Sequence, residues 1–107
     1  MPQEKLEQLL KELKSGLAAL YGSQLSGVYL SGSYARDEQD AESDLDVLLV
    51  LTHYELYSAE IERMGELVSA LSLKYGVSIS RKFIKESHWE SVDSALLRNL
   101  RAEAIAA

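Results

Sequence analysis

The stretch running from Gly32-Ser33 to Asp44-Leu45-Asp46 holds most of the residues whose types and spacing could do chemistry. Asp44 and Asp46 lie two apart where an apolar run begins. Side chains of a strand alternate faces, so both carboxylates are predicted on one face. Two hard oxygen ligands side by side suit Mg²⁺, which takes one or two carboxylates and fills its shell with phosphate and water. Gly32 falls where the preceding GVYLS segment must turn, and without a Cβ it lets a ligand approach the backbone. Ser33 adds a hydroxyl and an N–H. If it caps a short helix over residues 34–37, the free N–H groups there make an anion site. A phosphate cradle beside a carboxylate pair is the minimal apparatus for metal-dependent phosphoryl or nucleotidyl transfer. The bland alternative is a solvated acidic loop. Asp37, Glu38, Asp40, Glu42, Asp44 and Asp46 are opposed only by Arg36, and such a concentration repels itself unless solvent or a cation relieves it.

Weaker candidates lie outside this stretch. Arg81, Lys82 and Lys85 form a basic cluster that could meet phosphates or an acidic partner, or simply be a solvated strand end. His53 and His88 have no second His at ligand spacing and read as surface or turn residues. Trp89 reads as a core or interface anchor, and Tyr21 and Tyr57 could lie at a face between copies of the chain.

The elements that must position these residues are legible from periodicity. Leu6, Leu9, Leu10, Leu13, Leu17 and Leu20 predict a helix from about Pro2 to Tyr21, with Gly22 as its stop. Residues 27–31 read as a strand, and residues 45–52 as a second, apolar on both faces and therefore central. Tyr57, Ile61, Met64, Val68, Leu71 and Tyr75 predict one helix over 55–75. Val77, Ile79 and Phe83 predict a strand over 77–84. Ser87 and Glu90 have the form of a capping box, predicting a helix from His88 with Trp89, Val92, Leu96, Leu97 and Leu100 as its stripe. The expected fold class is α/β (α+β): a small mixed sheet packed with helices, one domain over residues 1–107.

Composition bounds the function. The chain has 107 residues, 47% hydrophobic and 26% charged, enough for one core. A net charge of −6 argues against nucleic-acid binding through a broad basic surface. With no Cys there is no disulfide, thiolate metal site or Cys nucleophile. The longest apolar run, Val47 to Leu51, is too short to span a membrane, and residues 1–7 lack the apolar core of a signal peptide. A cytoplasmic setting is expected.

Gly-Ser, ten residues, then Asp-x-Asp resembles the signature of the DNA polymerase β-like nucleotidyltransferases. The fuller run GSYAR…SDLDVLLV and the small size resemble the minimal nucleotidyltransferases, the MntA-type antitoxins encoded beside HEPN toxins. The resemblance covers nearly the whole chain. It implies the nucleotidyltransferase fold and transfer of AMP from ATP to a hydroxyl, typically a Tyr of the partner toxin, which silences it. It also implies that Gly32 and Ser33 hold the triphosphate, that Asp44 and Asp46 bind Mg²⁺, and that Arg36 sits near the acidic loop or the phosphates. The family usually adds a third carboxylate on a later strand, as metal ligand and base. Here Ser78 or Ser80 stands in its place, and Glu86 lies beyond that strand. The resemblance therefore also leaves room for a binding module that keeps the fold and neutralises its partner by docking alone.

Overall fold

The computed structural model describes residues 3–35, 44–91 and 95–107. The first helix, α1 (Gln3–Tyr21), buries Leu6, Leu9, Leu13, Leu17 and Tyr21 along one stripe, as its spacing of three and four requires. A turn of 3₁₀ helix at Gly22–Gln24 leads into β1 (Leu25–Ser31). Then come α2 (Gly32–Ala35), β2 (Leu45–Leu51), α3 (Tyr57–Arg63), α4 (Gly65–Tyr75) and β3 (Ile79–Lys85). The chain closes with α5 (Glu86–Ser91), α6 (Ala95–Glu103) and the two-residue β4 (Ile105–Ala106).

The strands form one mixed sheet in the order β3-β2-β1-β4. β1 runs antiparallel to β2 and β4, and β2 runs parallel to β3. A parallel pair needs a long crossover, which α3 and α4 supply. β2 is interior and every residue from Val47 to Leu51 is buried, as expected of a strand apolar on both faces. Val28, Leu30, Leu45, Val47, Leu49, Leu51, Ile79 and Phe83 face α1 and α4 and make the core. The other face carries Tyr29, Leu48 and Val50, with α5 packed on β2 and β3. Trp89 of α5 packs on Tyr29, ring centroids 5.3 Å apart, and Arg101 of α6 donates to the Trp89 carbonyl at 2.6 Å. Among the described residues no helix is long and apolar enough to cross a membrane.

Several sequence expectations are corrected. The single helix over 55–75 is two, broken at Met64. In a continuous helix the Ile61 carbonyl would accept from Gly65, but here it accepts from the Arg81 guanidinium at 2.9 Å. The last helical region begins at Glu86 rather than His88, so Ser87 lies inside α5 and not at its cap. β4 was not expected, because two residues carry no alternation to read. Tyr21 is 5% exposed, inside the core with the Arg63 guanidinium over its ring, so it is no face between copies. Tyr57 is 42% exposed, edge-on to Tyr54 and Phe83.

One clasp ties the middle of α1 to the end of α4. Lys74 Nζ donates to Glu12 Oε1 at 2.6 Å, and the Tyr75 hydroxyl donates to the other oxygen of the same carboxylate. These bonds, the lysine's first, hold the Glu12 carboxyl below its ordinary value of 4.5. A depressed carboxylate contributes stability above its unfolded pKa and loses it as pH falls through the folded one. Thermal unfolding followed from pH 7 to pH 3 should therefore lose less stability in Glu12→Gln than in the wild type. Equal losses would mean the clasp does not couple to folding.

Candidate nucleotide site

Asp46 is the second residue of β2, and Asp44 stands exposed just before that strand. The start of β2 is fixed by the Leu45 N–H, which donates to the Ser78 carbonyl at 2.8 Å. In the β1–β2 register Ser31 lies opposite Asp46, so the chain leaves β1 at Gly32 directly beside the aspartate. Gly32 has φ +66°, a left-handed backbone that side chains disfavour. A Cβ placed there would lie 2.2 Å from Asp46 Oδ2. The carboxylate thus rests against the glycine's α-carbon, and only glycine satisfies both the turn and the contact. Tyr34, 6% exposed, sinks into the core and fastens α2 from below.

Ser33 follows as the second residue of α2, so it is not a cap for a helix starting at Tyr34. Its backbone shares the corner with Gly32 and Asp46. Arg36 lies outside the described residues, as do Asp37, Glu38, Asp40 and Glu42. Among the candidates that are described, Gly32, Ser33, Asp44 and Asp46 gather at one end of the sheet.

The β2–β3 register decides what lies across from the aspartates. Asp46 pairs with Ser80, and Leu45 with Ile79. Ser80 is half-buried on the same face as Asp46, whereas Ser78 precedes β3 and is exposed. Lys85 pairs with Leu51, at the far end of β2. Glu86 follows it, so its backbone lies some 16 Å or more along the strand from Asp46, beyond the reach of its side chain. It cannot stand in for a third carboxylate.

The basic cluster read from the sequence is not one cluster. Alternation sends Arg81 to the helical side, where it meets the Ile61 carbonyl, and Lys85 Nζ sits 5.3 Å from the centre of the Tyr54 ring. Lys82 alone projects on the Asp46 face, exposed. His53 and His88 are exposed. Among the described residues no three His, Cys, Asp or Glu side chains converge as a metal cage. A pair of carboxylates still fits Mg²⁺, which keeps waters and takes its remaining ligands from substrate phosphates. A groove of about 570 Å³, lined by Lys5, Lys11, Glu12, Lys74 and Tyr75, lies on the helical side, away from this corner.

Reading residue types along the chain missed Tyr34 as the anchor of the corner and Lys82 as the cation left on its face. The second was readable by applying period-two alternation to RKFIK.

Comparison with known proteins bears on the family and the fold. A family model described as "Nucleotidyltransferase domain" matches residues 4–100. A Methanocaldococcus jannaschii protein named "Putative protein adenylyltransferase MJ0141" is 34% identical over 91 residues, covering 81% of this chain and 91% of the relative. A second from the same organism, "Putative protein adenylyltransferase MJ0604", is 34% identical over 74 residues, covering 69% and 68%. A solved "putative minimal nucleotidyltransferase" superposes with TM-score 0.63 at 25% identity, covering 100% of this chain and 97% of that one. A toxin–antitoxin crystal structure with AMP-PNP superposes with TM-score 0.57 at 20% identity, covering 99% and 72%, a likeness of fold. With a family model spanning nearly its whole length and relatives at 34% identity, the chain belongs to the nucleotidyltransferase domain family, and its enzyme class is nucleotidyltransferase.

Proposed function

We propose that this chain, as one minimal nucleotidyltransferase domain over 1–107, uses Mg²⁺ and ATP to transfer AMP to a hydroxyl of a protein partner. The partner is a HEPN-type toxin presenting a tyrosine, and this chain acts as its antitoxin. One observation carries the site: the Asp46 carboxylate lies against the α-carbon of Gly32, where a Cβ would come within 2.2 Å. The Gly-Ser turn and the Asp-x-Asp pair, fourteen residues apart from Gly32 to Asp46, thereby form one corner. The relatives' names support adenylyl transfer, and the structural likeness to toxin–antitoxin complexes supports the class of partner. A further likeness in fold is to a mutant of the toxin–antitoxin MntA-HpeT, with TM-score 0.53 at 18% identity.

In this reading the Gly32–Ser33 backbone receives the phosphates and Asp44 and Asp46 hold the metal, with Arg36 near the phosphates. Bound there, Mg²⁺ would neutralise phosphate charge and polarise the α-phosphorus. The acceptor oxygen bonds to the α-phosphorus and the bond to the bridging oxygen breaks. Pyrophosphate leaves, and the hydroxyl proton passes to solvent. A second reading, docking without transfer, is favoured by Ser80, which pairs with Asp46 where a third carboxylate would serve as base.

Calorimetric titration with MgATP tests the site. The double variant Asp44→Asn with Asp46→Asn should keep the fold, since neither side chain belongs to the core, and should lose metal-dependent nucleotide binding. Unchanged binding would overturn the assignment. Mass spectrometry of the partner after incubation with MgATP separates the readings: an added AMP supports transfer, and neutralisation without it supports docking.

A further inference from the structure

We propose that Lys82 is a phosphate-binding residue of this site, supplying from β3 the positive charge that faces the nucleotide. The inference rests on the nucleotide reading above and adds to it a residue outside the Gly-Ser turn and the Asp-x-Asp pair. Three observations place Lys82. The β2–β3 register sets Ser80 beside Asp46 and Lys82 beside Leu48. In β3, Ile79 and Phe83 are buried in the core, which puts Ser80, Lys82 and Ile84 on the opposite face, with Asp46. Lys82 is exposed and takes part in no hydrogen bond or ion pair among the described residues.

Distance permits the role. Neighbouring strands are about 4.8 Å apart and two residues span about 6.6 Å, so the Lys82 α-carbon lies roughly 8 Å from that of Asp46. A four-carbon stem carries the ammonium across that gap. Part of this face is already covered, because α5 packs on β2 and β3 and Trp89 rests on Tyr29. Tyr29 pairs with Leu48 and Leu48 with Lys82, so the Lys82 stem leaves the exposed edge of the row where that cover begins, the next row on this face after that of Asp46.

Charge gives it a task. Asp44, Asp46 and a triphosphate are all anionic, and six carboxylates fall within residues 37–46. Ser80 in place of an acid removes one negative charge from the face, and Lys82 adds one positive charge beside it. Each of its N–H donors can bond a phosphate oxygen as a charge-assisted hydrogen bond. The competing explanation is an edge lysine: β3 is the outer strand of the sheet, and charges there block edge-to-edge pairing.

Calorimetry with MgATP and with adenosine on the full chain separates these. Lys82→Gln, which keeps the edge polar, should weaken MgATP about tenfold or more, leave adenosine affinity unchanged, and leave thermal stability near wild type. Lys82→Arg should retain most of the affinity, and Lys82→Glu should weaken it further than Gln. If the wild type binds MgATP and Lys82→Gln binds it equally, the inference fails while the nucleotide reading stands. If Lys82→Gln weakens adenosine as much as MgATP, the loss is structural and the inference fails as well. If the wild type binds no MgATP, the nucleotide reading itself falls, and the role of Lys82 with it.

Discussion

Gly32→Ala is expected to abolish MgATP binding and to lower the melting temperature, two losses with separable causes. The first cause is backbone strain. Gly32 has φ +66°, and a left-handed residue with a Cβ costs about 1–2 kcal/mol. For a domain of this size that corresponds to roughly 5–15 °C in melting temperature. The second cause is local. The added methyl group would lie 2.2 Å from Asp46 Oδ2, so the carboxylate must swing away from the corner. Gly22→Ala provides the control. Gly22 also has positive φ, +55°, but nothing lies within 4 Å of its would-be Cβ. It should lose stability by a similar amount and keep MgATP affinity. If Gly32→Ala binds MgATP normally, the corner does not hold the phosphates. A double-mutant cycle sharpens the point. Asp46→Ala removes the obstructed atoms, so Gly32→Ala should cost less stability in that background than in the wild type.

The parts of this fold legible in the sequence are those governed by local side-chain pattern. The α1 stripe announces itself because many residues vote for one period, and the doubly covered β2 because an unbroken apolar run of strand length leaves no face for solvent. The corner was half legible. Gly32, Ser33, Asp44 and Asp46 stand out by type and spacing, but their meeting depends on the β1–β2 register, which pairs Ser31 with Asp46. Nothing within either segment states that register. The break at Met64 was hidden for a related reason. It is stabilised by Arg81, a residue 20 positions away whose guanidinium takes the Ile61 carbonyl. A long-range partner of this kind leaves no trace in local pattern. The basic cluster was misread for the opposite reason. Arg81, Lys82 and Lys85 are neighbours in sequence, but a strand separates odd from even positions, and only Lys82 stays with the aspartates.

The same register turns an ambiguity about the third carboxylate into one position. Ser78 and Ser80 share a face by period, but only Ser80 lies within β3 and pairs with Asp46. Ser80→Asp should therefore place a carboxylate beside Asp46, able to ligate the metal and to accept the acceptor's proton. A general base is worth about 10²–10⁴-fold, so AMP transfer should rise by about 10² or more if the wild type is a slow enzyme. Ser78→Asp, exposed before the strand, should change the rate far less. Stability supplies a readout independent of turnover. Three like charges in one corner repel, so Ser80→Asp without Mg²⁺ should melt below the wild type. Added Mg²⁺ should then raise its melting temperature more than it raises that of the wild type, since ligand binding to the folded state stabilises it by mass action. A variant that neither gains rate nor responds to Mg²⁺ would mean that Ser80 does not face the site. A wild type that already labels its partner as fast as Ser80→Asp would mean that no third carboxylate is needed. The phenol or alcohol proton would then leave to solvent, with the positive charge of Lys82 beside the corner easing its departure.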